Sequence, residues 1–220
     1  MIPLKDIDRR PSRTPLITTL IIAANTLVFL LELVNGPAFV VRWSFIPADI
    51  VSGHDLITLL TALFVHGGWF HIVGNMVFLW AFGPEIEDMM GRGRYLFFYL
   101  TGGLAATLAQ VLFNPASSIP NLGASGAIAA VMGAFLVTFP RDRIRTLVFL
   151  GFFVTIFRIP AIFLVGLWFV MQLFSEVGSL LDGRADGVAY AAHVGGFVFG
   201  LVFAGLFESH RRDRETERLW

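Results

Sequence analysis

The chain contains no cysteine, which excludes disulfides and thiolate metal sites. It is also poor in charge. Asp, Glu, Lys and Arg make up 15% of its 220 residues, against about a quarter in a soluble domain. The two signs cancel to a formal net charge of zero, so the strongly basic surface of a nucleic-acid-binding protein is missing and no nucleic-acid partner is expected. Internal repeats and low-complexity tracts are absent. What is there is apolar: 56% of residues are hydrophobic, with a mean hydropathy of +0.74, above the roughly 45–50% of soluble domains. Charged residues gather at the two ends and in short connecting segments. This is the composition of a multi-pass membrane protein, and the length suits one domain.

Six apolar stretches read as spans: Leu16–Val34, Trp69–Gly83, Tyr95–Phe113, Ser125–Pro140, Ile159–Gly178 and Gly187–Phe207. Most approach the ~20 residues that cross about 30 Å of hydrocarbon. The fourth is short, so its first residue, Ser125, is expected below the membrane surface, where water or protein must surround it. Two further stretches, Leu56–Val65 and Thr146–Phe157, are too short to span and are read as re-entrant, interfacial or bundle-packed. Fourteen of the sixteen basic residues fall on one side of this arrangement; only Arg42 and Arg184 fall on the other. By the positive-inside rule both termini are cytoplasmic, and Ser125 faces the exterior. The expected fold is therefore all-α: a polytopic membrane bundle of six transmembrane helices. Residues 1–15 form a cytoplasmic N-terminal segment, 16–207 the membrane domain, and 208–220 a cytoplasmic tail of mixed charge, read as a helix extension or disordered. Asp6 and Asp8 among the first basic residues, and the length of the first stretch, speak against a cleavable signal peptide.

Polar residues inside membrane segments are costly and mark function or specific packing. Ser125 lies in Gly123-Ala124-Ser125-Gly126. Taken alone, that is a small-residue packing surface. It is not the nucleophile elbow of α/β hydrolases, because a glycine directly follows the serine. His193 lies on a stripe with Ala189, Gly196, Gly200 and Ala204, and Gly196 and Gly200 allow close helix contact. Ser125, Ala129 and Gly133 make a similar stripe on the fourth span. Two small-faced helices that pack together bring His193 within reach of Ser125, as a nucleophile and its base require. No Asp or Glu lies deep in either helix, so catalysis, if it occurs, uses a Ser–His dyad.

His71 and Asn75 share a helix face, and His66 precedes them by a short turn. Three readings stand for this group: a helix-end hydrogen-bond network, a metal site built with His193, or donors for an oxyanion beside the Ser125 N–H. The metal reading is weak, because no carboxylate lies nearby in a span. No metal or other cofactor is expected.

In order along the chain, His66, His71 and Asn75, then Gly83, Glu87 and Gly91, then Gly123-Ala124-Ser125-Gly126, then Ala192-His193 with Gly196 and Gly200, resemble the rhomboid intramembrane serine proteases. The match runs from about Thr61 to Gly200. The resemblance implies Ser125 as nucleophile and His193 as general base. It implies His71 and Asn75 as oxyanion donors, with His66, Gly123, Gly126, Gly196 and Gly200 structural near the site. Glu87 would be structural, linking the second and third spans. Two departures are visible. Some rhomboids carry a tyrosine four residues after the serine, where this chain has Ala129, so His193 needs another support, such as tighter helix packing. The Trp-Arg pair that some members carry before the first histidine is also missing; Ile57-Thr58 stands there.

The expected function is intramembrane endopeptidase action on peptide bonds in or near transmembrane segments of membrane-protein substrates, in the lipid bilayer of a bacterial-type cell (inner) membrane. The segments Pro115–Leu122 and Ser179–Val188 are expected as lids. One rival is a catalytically silent rhomboid-like binder of membrane clients, but such a protein would be expected to lack Ser125 or His193. A transporter is the other rival. It would show repeats or deep charges, which this chain lacks.

Overall fold

The computed structural model describes residues 1–9, 11–151, 153–182 and 189–208. Arg10, Arg184 and nearly all of the 208–220 tail lie outside the described residues, as does most of the second expected lid. The chain opens with strand β1 (Ile2–Asp6) and the long helix α1 (Leu16–Asn35). Three short helices follow, α2 (Pro37–Trp43), α3 (Pro47–Val51) and α4 (Thr58–Thr61), the last continued by a 3₁₀ turn over Ala62–Phe64. Then come α5 (Trp69–Met90), α6 (Arg92–Phe113) and α7 (Ser125–Thr138). A hairpin of β2 (Arg143–Leu150) and β3 (Phe153–Pro160) precedes α8 (Ala161–Asp182) and α9 (Tyr190–Phe207).

The centre of the bundle is α7. Its apolar residues surround the whole helix, and every residue from Gly126 to Phe135 is buried, as befits a helix hydrophobic all round. It packs most closely against α9. A Cβ on Gly196 would overlap the carbonyl oxygen of Gly126, one on Gly200 that of Ala130, and one on Gly133 that of Phe197. The two backbones therefore touch, and no larger residue fits at these positions. The contact face of α7 is Gly126–Ala130–Gly133, one residue off the expected stripe of Ser125, Ala129 and Gly133. Ser125 is thereby left at the edge of the contact.

Among the described residues, α1, α6 and α9 are long and apolar enough to cross a membrane. The segment Thr58–Phe64 with α5, bent by 91°, qualifies as a fourth when taken as one span. Among the described residues length and apolarity alone do not establish six: α7 has 14 residues, about 21 Å of rise, short of the ~30 Å core, and α8 passes as a shorter apolar helix over Ala161–Ser175. Leu56–Val65 is packed on the bundle at one end only: Ala62, Leu63 and Val65 are buried, whereas Leu56, Ile57 and Leu60 are exposed.

Two expectations need correcting. The second apolar stretch does not stop at Gly83. Helix α5 runs on through Pro84 to Met90, and Glu87 is buried against the start of α1. Its carboxylate accepts the N–H groups of Ile17 (2.9 Å) and Thr18 (2.8 Å) and the Thr18 hydroxyl (2.8 Å). It thus caps a helix N-terminus that has no local side-chain cap, joining α5 to α1 rather than to α6.

The chain is also not all-α. β2 and β3 form an antiparallel hairpin over Thr146–Phe157 and its flanks, and β1 adds to it in the order β1-β2-β3. The physical reason lies in the alternation Arg143-Ile144-Arg145-Thr146, which turns Ile144 and Thr146 inward to full burial and both arginines outward. Gly151 at the turn has φ +61°, a conformation that favours glycine. The N-terminal arm is tied on by Asp8, which accepts two bonds from the Arg143 guanidinium (Nη2 2.6 Å, Nε 3.0 Å), and by an Arg9–Asp142 pair.

Candidate active site

Ser125 is the first residue of α7 and His193 lies in the first turn of α9. The backbone contact between these helices sets the two side chains together: His193 Nε2 lies 2.7 Å from Ser125 Oγ. The other ring nitrogen, Nδ1, lies 2.7 Å from Oε1 of Gln172 on α8. An amide oxygen only accepts, so Nδ1 carries the proton and Nε2 presents its lone pair to the Ser125 hydroxyl, which donates. The imidazole is further confined by Trp168 of α8, with ring centroids 5.9 Å apart, and by Tyr190 at 6.4 Å, edge-on. The backbone N–H of the preceding Ala192 donates to Gln110 Oε1 of α6 at 3.2 Å, which fixes the first turn of α9. Support for His193 thus comes from α8, which leaves Ala129 free to be small.

His71 and Asn75 stand one turn apart on α5. The Gly67 N–H donates to His71 Nδ1 at 3.3 Å, so His71 holds its proton on Nε2. That nitrogen points at Gly123: a Cβ there would come within 2.7 Å of it. Gly123 also has φ +121°, where L residues rarely go, so a side chain is excluded twice. Asn75 is buried, and its Nδ2 has no hydrogen-bond partner among the described residues. A buried, unpartnered donor is costly and calls for an explanation. Both donors line one cavity of about 390 Å³ together with Ser125 and His193, a volume within the ~300–1,000 Å³ range of ligand sites. Phe70, Phe78 and Trp168 complete its apolar wall.

His66 is buried behind this group. Its ring meets that of His71 edge-on at 5.0 Å, and its backbone N–H donates to the buried Glu32 carboxylate of α1 at 2.9 Å. Of the segment expected as the first lid, Asn121 pairs with Phe45 as an isolated β-bridge, the Ser117 carbonyl accepts from Ala48 N–H, and Leu122 lines the cavity. The sequence missed Gln172, Trp168 and Gln110. A lone glutamine within the apolar run of α8, and another within α6, were the available signals.

A hydroxyl bonded to an imidazole of fixed tautomer is what an activated serine needs. Three N–H groups beside it, from His71, Asn75 and the helix N-terminus at Ser125, suit an oxyanion.

Residues 53–209 match the family model of the Rhomboid domain. The chain is 34% identical over 126 residues to "Rhomboid protease GluP" of Bacillus subtilis (strain 168), covering 56% of this chain and 24% of that protein. "Rhomboid protein 1, mitochondrial" of Saccharomyces cerevisiae is 27% identical over 187 residues, 80% of this chain and 50% of that one. "Presenilin-associated rhomboid-like protein, mitochondrial" of Homo sapiens is 29% identical over 187 residues, 83% and 46%. The chain spans a quarter to a half of the length of these relatives. Two of the three are named as mitochondrial, which does not fit the expectation of a bacterial-type cell membrane.

Proposed function

Because the chain belongs to the rhomboid family, we propose that it is an intramembrane serine endopeptidase that cleaves peptide bonds in or near the transmembrane segments of other membrane proteins. The observation that carries this reading is the Gln172–His193–Ser125 chain of two 2.7 Å bonds. His193 Nε2 takes the Ser125 proton as Oγ attacks the scissile carbonyl. The oxyanion that forms accepts from His71 Nε2–H, Asn75 Nδ2–H and the Ser125 N–H. The tetrahedral adduct collapses, the C–N bond breaks, and His193 returns the proton to the leaving amine. Water then enters and gives a proton to His193 as its oxygen attacks the acyl-Ser125 ester; the C–Oγ bond breaks, the acid leaves, and His193 returns the proton to Ser125 Oγ. Gln172 holds the imidazole in the tautomer this sequence needs, in the place where a triad would have a carboxylate.

The wider arrangement follows the same reading. Six membrane segments between residues 16 and 207, both termini cytoplasmic, leave Ser125 toward the exterior, where water reaches it through the cavity. Bound substrates are extended near Ser125, since a helical peptide bond is closed to attack. Because Gln172 and Trp168 both sit on α8, any displacement of α8 that admits a substrate also loosens His193. The protein is an integral membrane protein, and its partners are transmembrane substrates and the bilayer.

A fluorophosphonate that labels active serines tests the site directly. Label on the wild type at Ser125, absent from Ser125→Ala and from His193→Ala, supports the dyad. Label elsewhere, or none on a folded wild type, favours the silent client binder.

A further inference from the structure

Away from Ser125, on another face of α5, two cavities meet at one side chain. The first is an apolar groove of about 600 Å³ between α1 and α5, walled by residues such as Ile22, Leu30, Val73, Met76 and Trp80 and reaching Leu4 of β1. From Trp69 to Trp80 the groove follows α5 for about 16 Å of helix rise, close to half of a ~30 Å hydrocarbon core. The second is a polar cavity of about 950 Å³ against the sheet, and Trp80 lines it as well. Six basic and three acidic side chains line this second cavity, leaving an excess of positive charge.

The arrangement of that charge is unusual. Lys5 of β1, Arg145 of β2 and Arg158 of β3 are direct cross-strand partners, so they stand in a row on one face of the sheet. All three are exposed. Arg143 is engaged by Asp8 and Arg9 by Asp142, whereas the row of three makes no contact ion pair with a described residue, Arg158 being attracted to Asp8 only at longer range. Like charges opposed across a ladder destabilise it, and an anion lying over the row would reverse that. At its other end the hairpin exposes Phe149, Phe153, Val154, Ile156 and Phe157. A sheet with an apolar tip and a basic base suits the boundary between hydrocarbon and headgroups.

We infer that α1, α5 and the three-stranded sheet form a binding site for one anionic glycerophospholipid of the cytoplasmic leaflet, an acyl chain in the groove and its phosphate on the Lys5–Arg145–Arg158 row. The chemistry is a phosphodiester at the end of an apolar chain about one leaflet long. Basic cavities on the cytoplasmic side of membrane helices recruit such headgroups. The inference rests on the membrane orientation given under Proposed function, but not on hydrolysis.

The experiment uses the full chain carrying Ser125→Ala in detergent micelles, so lipid binding is read apart from catalysis. Phosphatidylglycerol brominated along its acyl chains is titrated in, and tryptophan quenching is followed. The expected result is saturable quenching that is reduced in Trp80→Phe and lost when Trp69→Phe is added, since both indoles line the groove. Arg145→Gln with Arg158→Gln raises the half-saturating lipid fraction about tenfold or more, the scale of two basic residues at an anionic surface. Lys5→Gln gives a smaller rise and serves if the double variant does not fold, with circular dichroism as the check.

Brominated phosphatidylcholine is expected to quench only at much higher fraction. Equal quenching by the two lipids would mean ordinary annular lipid and overturn the proposal. So would an unchanged titration in the charge variants. Full displacement of the lipid by millimolar inorganic phosphate would make this a free-anion site and remove the lipid assignment. A failed titration alongside intact wild-type proteolysis leaves the enzyme reading standing, and the reverse also holds.

Discussion

The Ser125 end of the molecule and the sheet end hold their polar groups by opposite means. Around Ser125 the positioning is done by absence of side chains: Gly126, Gly133, Gly196 and Gly200 let α7 and α9 touch backbone to backbone, and a few uncharged donors and acceptors do the rest. At the sheet end, long charged side chains tie segments together across exposed surface, as in Asp8–Arg143 and Arg9–Asp142. The first arrangement fixes geometry tightly and tolerates no added atom. The second is screened by water and contributes little per pair. The 2.7 Å bond between Ser125 and His193 rests on the first kind; attachment of the N-terminal arm rests on the second.

The contrast predicts a graded set of effects. The largest is at the helix contact. Gly200→Val places a side chain against the Ala130 carbonyl and costs about 3 kcal/mol or more, so the protein fails to fold or melts far below wild type; a normal melting temperature would break the comparison. Next comes chemistry without loss of fold. Asn75→Ala lowers kcat about 10²–10³-fold, the usual scale for one oxyanion donor, with unchanged thermal stability. Gln172→Ala also lowers kcat, by about 10-fold or more, since a carboxylate in that place carries about 10⁴. Gln172→Glu, which keeps the acceptor, retains more activity than the alanine variant. A purely packing role for Gln172 would instead lower stability in both and leave kcat alone.

At the other end the effects are smaller. Glu87→Ala removes the cap on α1 and costs about 1–2 kcal/mol, measured as a lower melting temperature at unchanged kcat. The arm has a pH signature of two signs. Arg143 beside Asp8 holds its carboxyl down, to about 2 from 3.8. The stability from that pair is present above 3.8 and is lost as pH falls toward 2. Burial pushes the Asp6 carboxyl up, to about 6 from 3.8. Its folded state favours the proton, so its contribution is full below 3.8 and is lost as pH rises through 6. Asp6→Asn is therefore expected to flatten the fall in melting temperature between about pH 4 and 6. A steeper fall in that variant would contradict the assignment.

The helices and the Ser125–His193 meeting were legible because both follow from patterns along single helices: apolar runs long enough to bury, and small residues at three- and four-residue spacing. The hairpin was missed: the alternation from Arg143 to Thr146 was its only signal, and the run from Leu147 to Phe157 is apolar enough to be absorbed into a membrane reading. Gly83-Pro84 looked like a helix end. It is not one, because Glu87 beyond it is held by α1, a partner nearly seventy residues away that no local pattern reveals. Gln172 carried the weakest trace, one amide among apolar neighbours, and its role depends on which way α8 turns it. What sequence pattern misses here is contact between elements, where polar groups find partners.

Cleavage of a tagged single-span membrane protein in proteoliposomes tests the central claim most directly, with wild type beside Ser125→Ala and His193→Ala at matched folding. Two fragments are expected from the wild type and none from either variant. Cleavage by Ser125→Ala at the wild-type rate would contradict it.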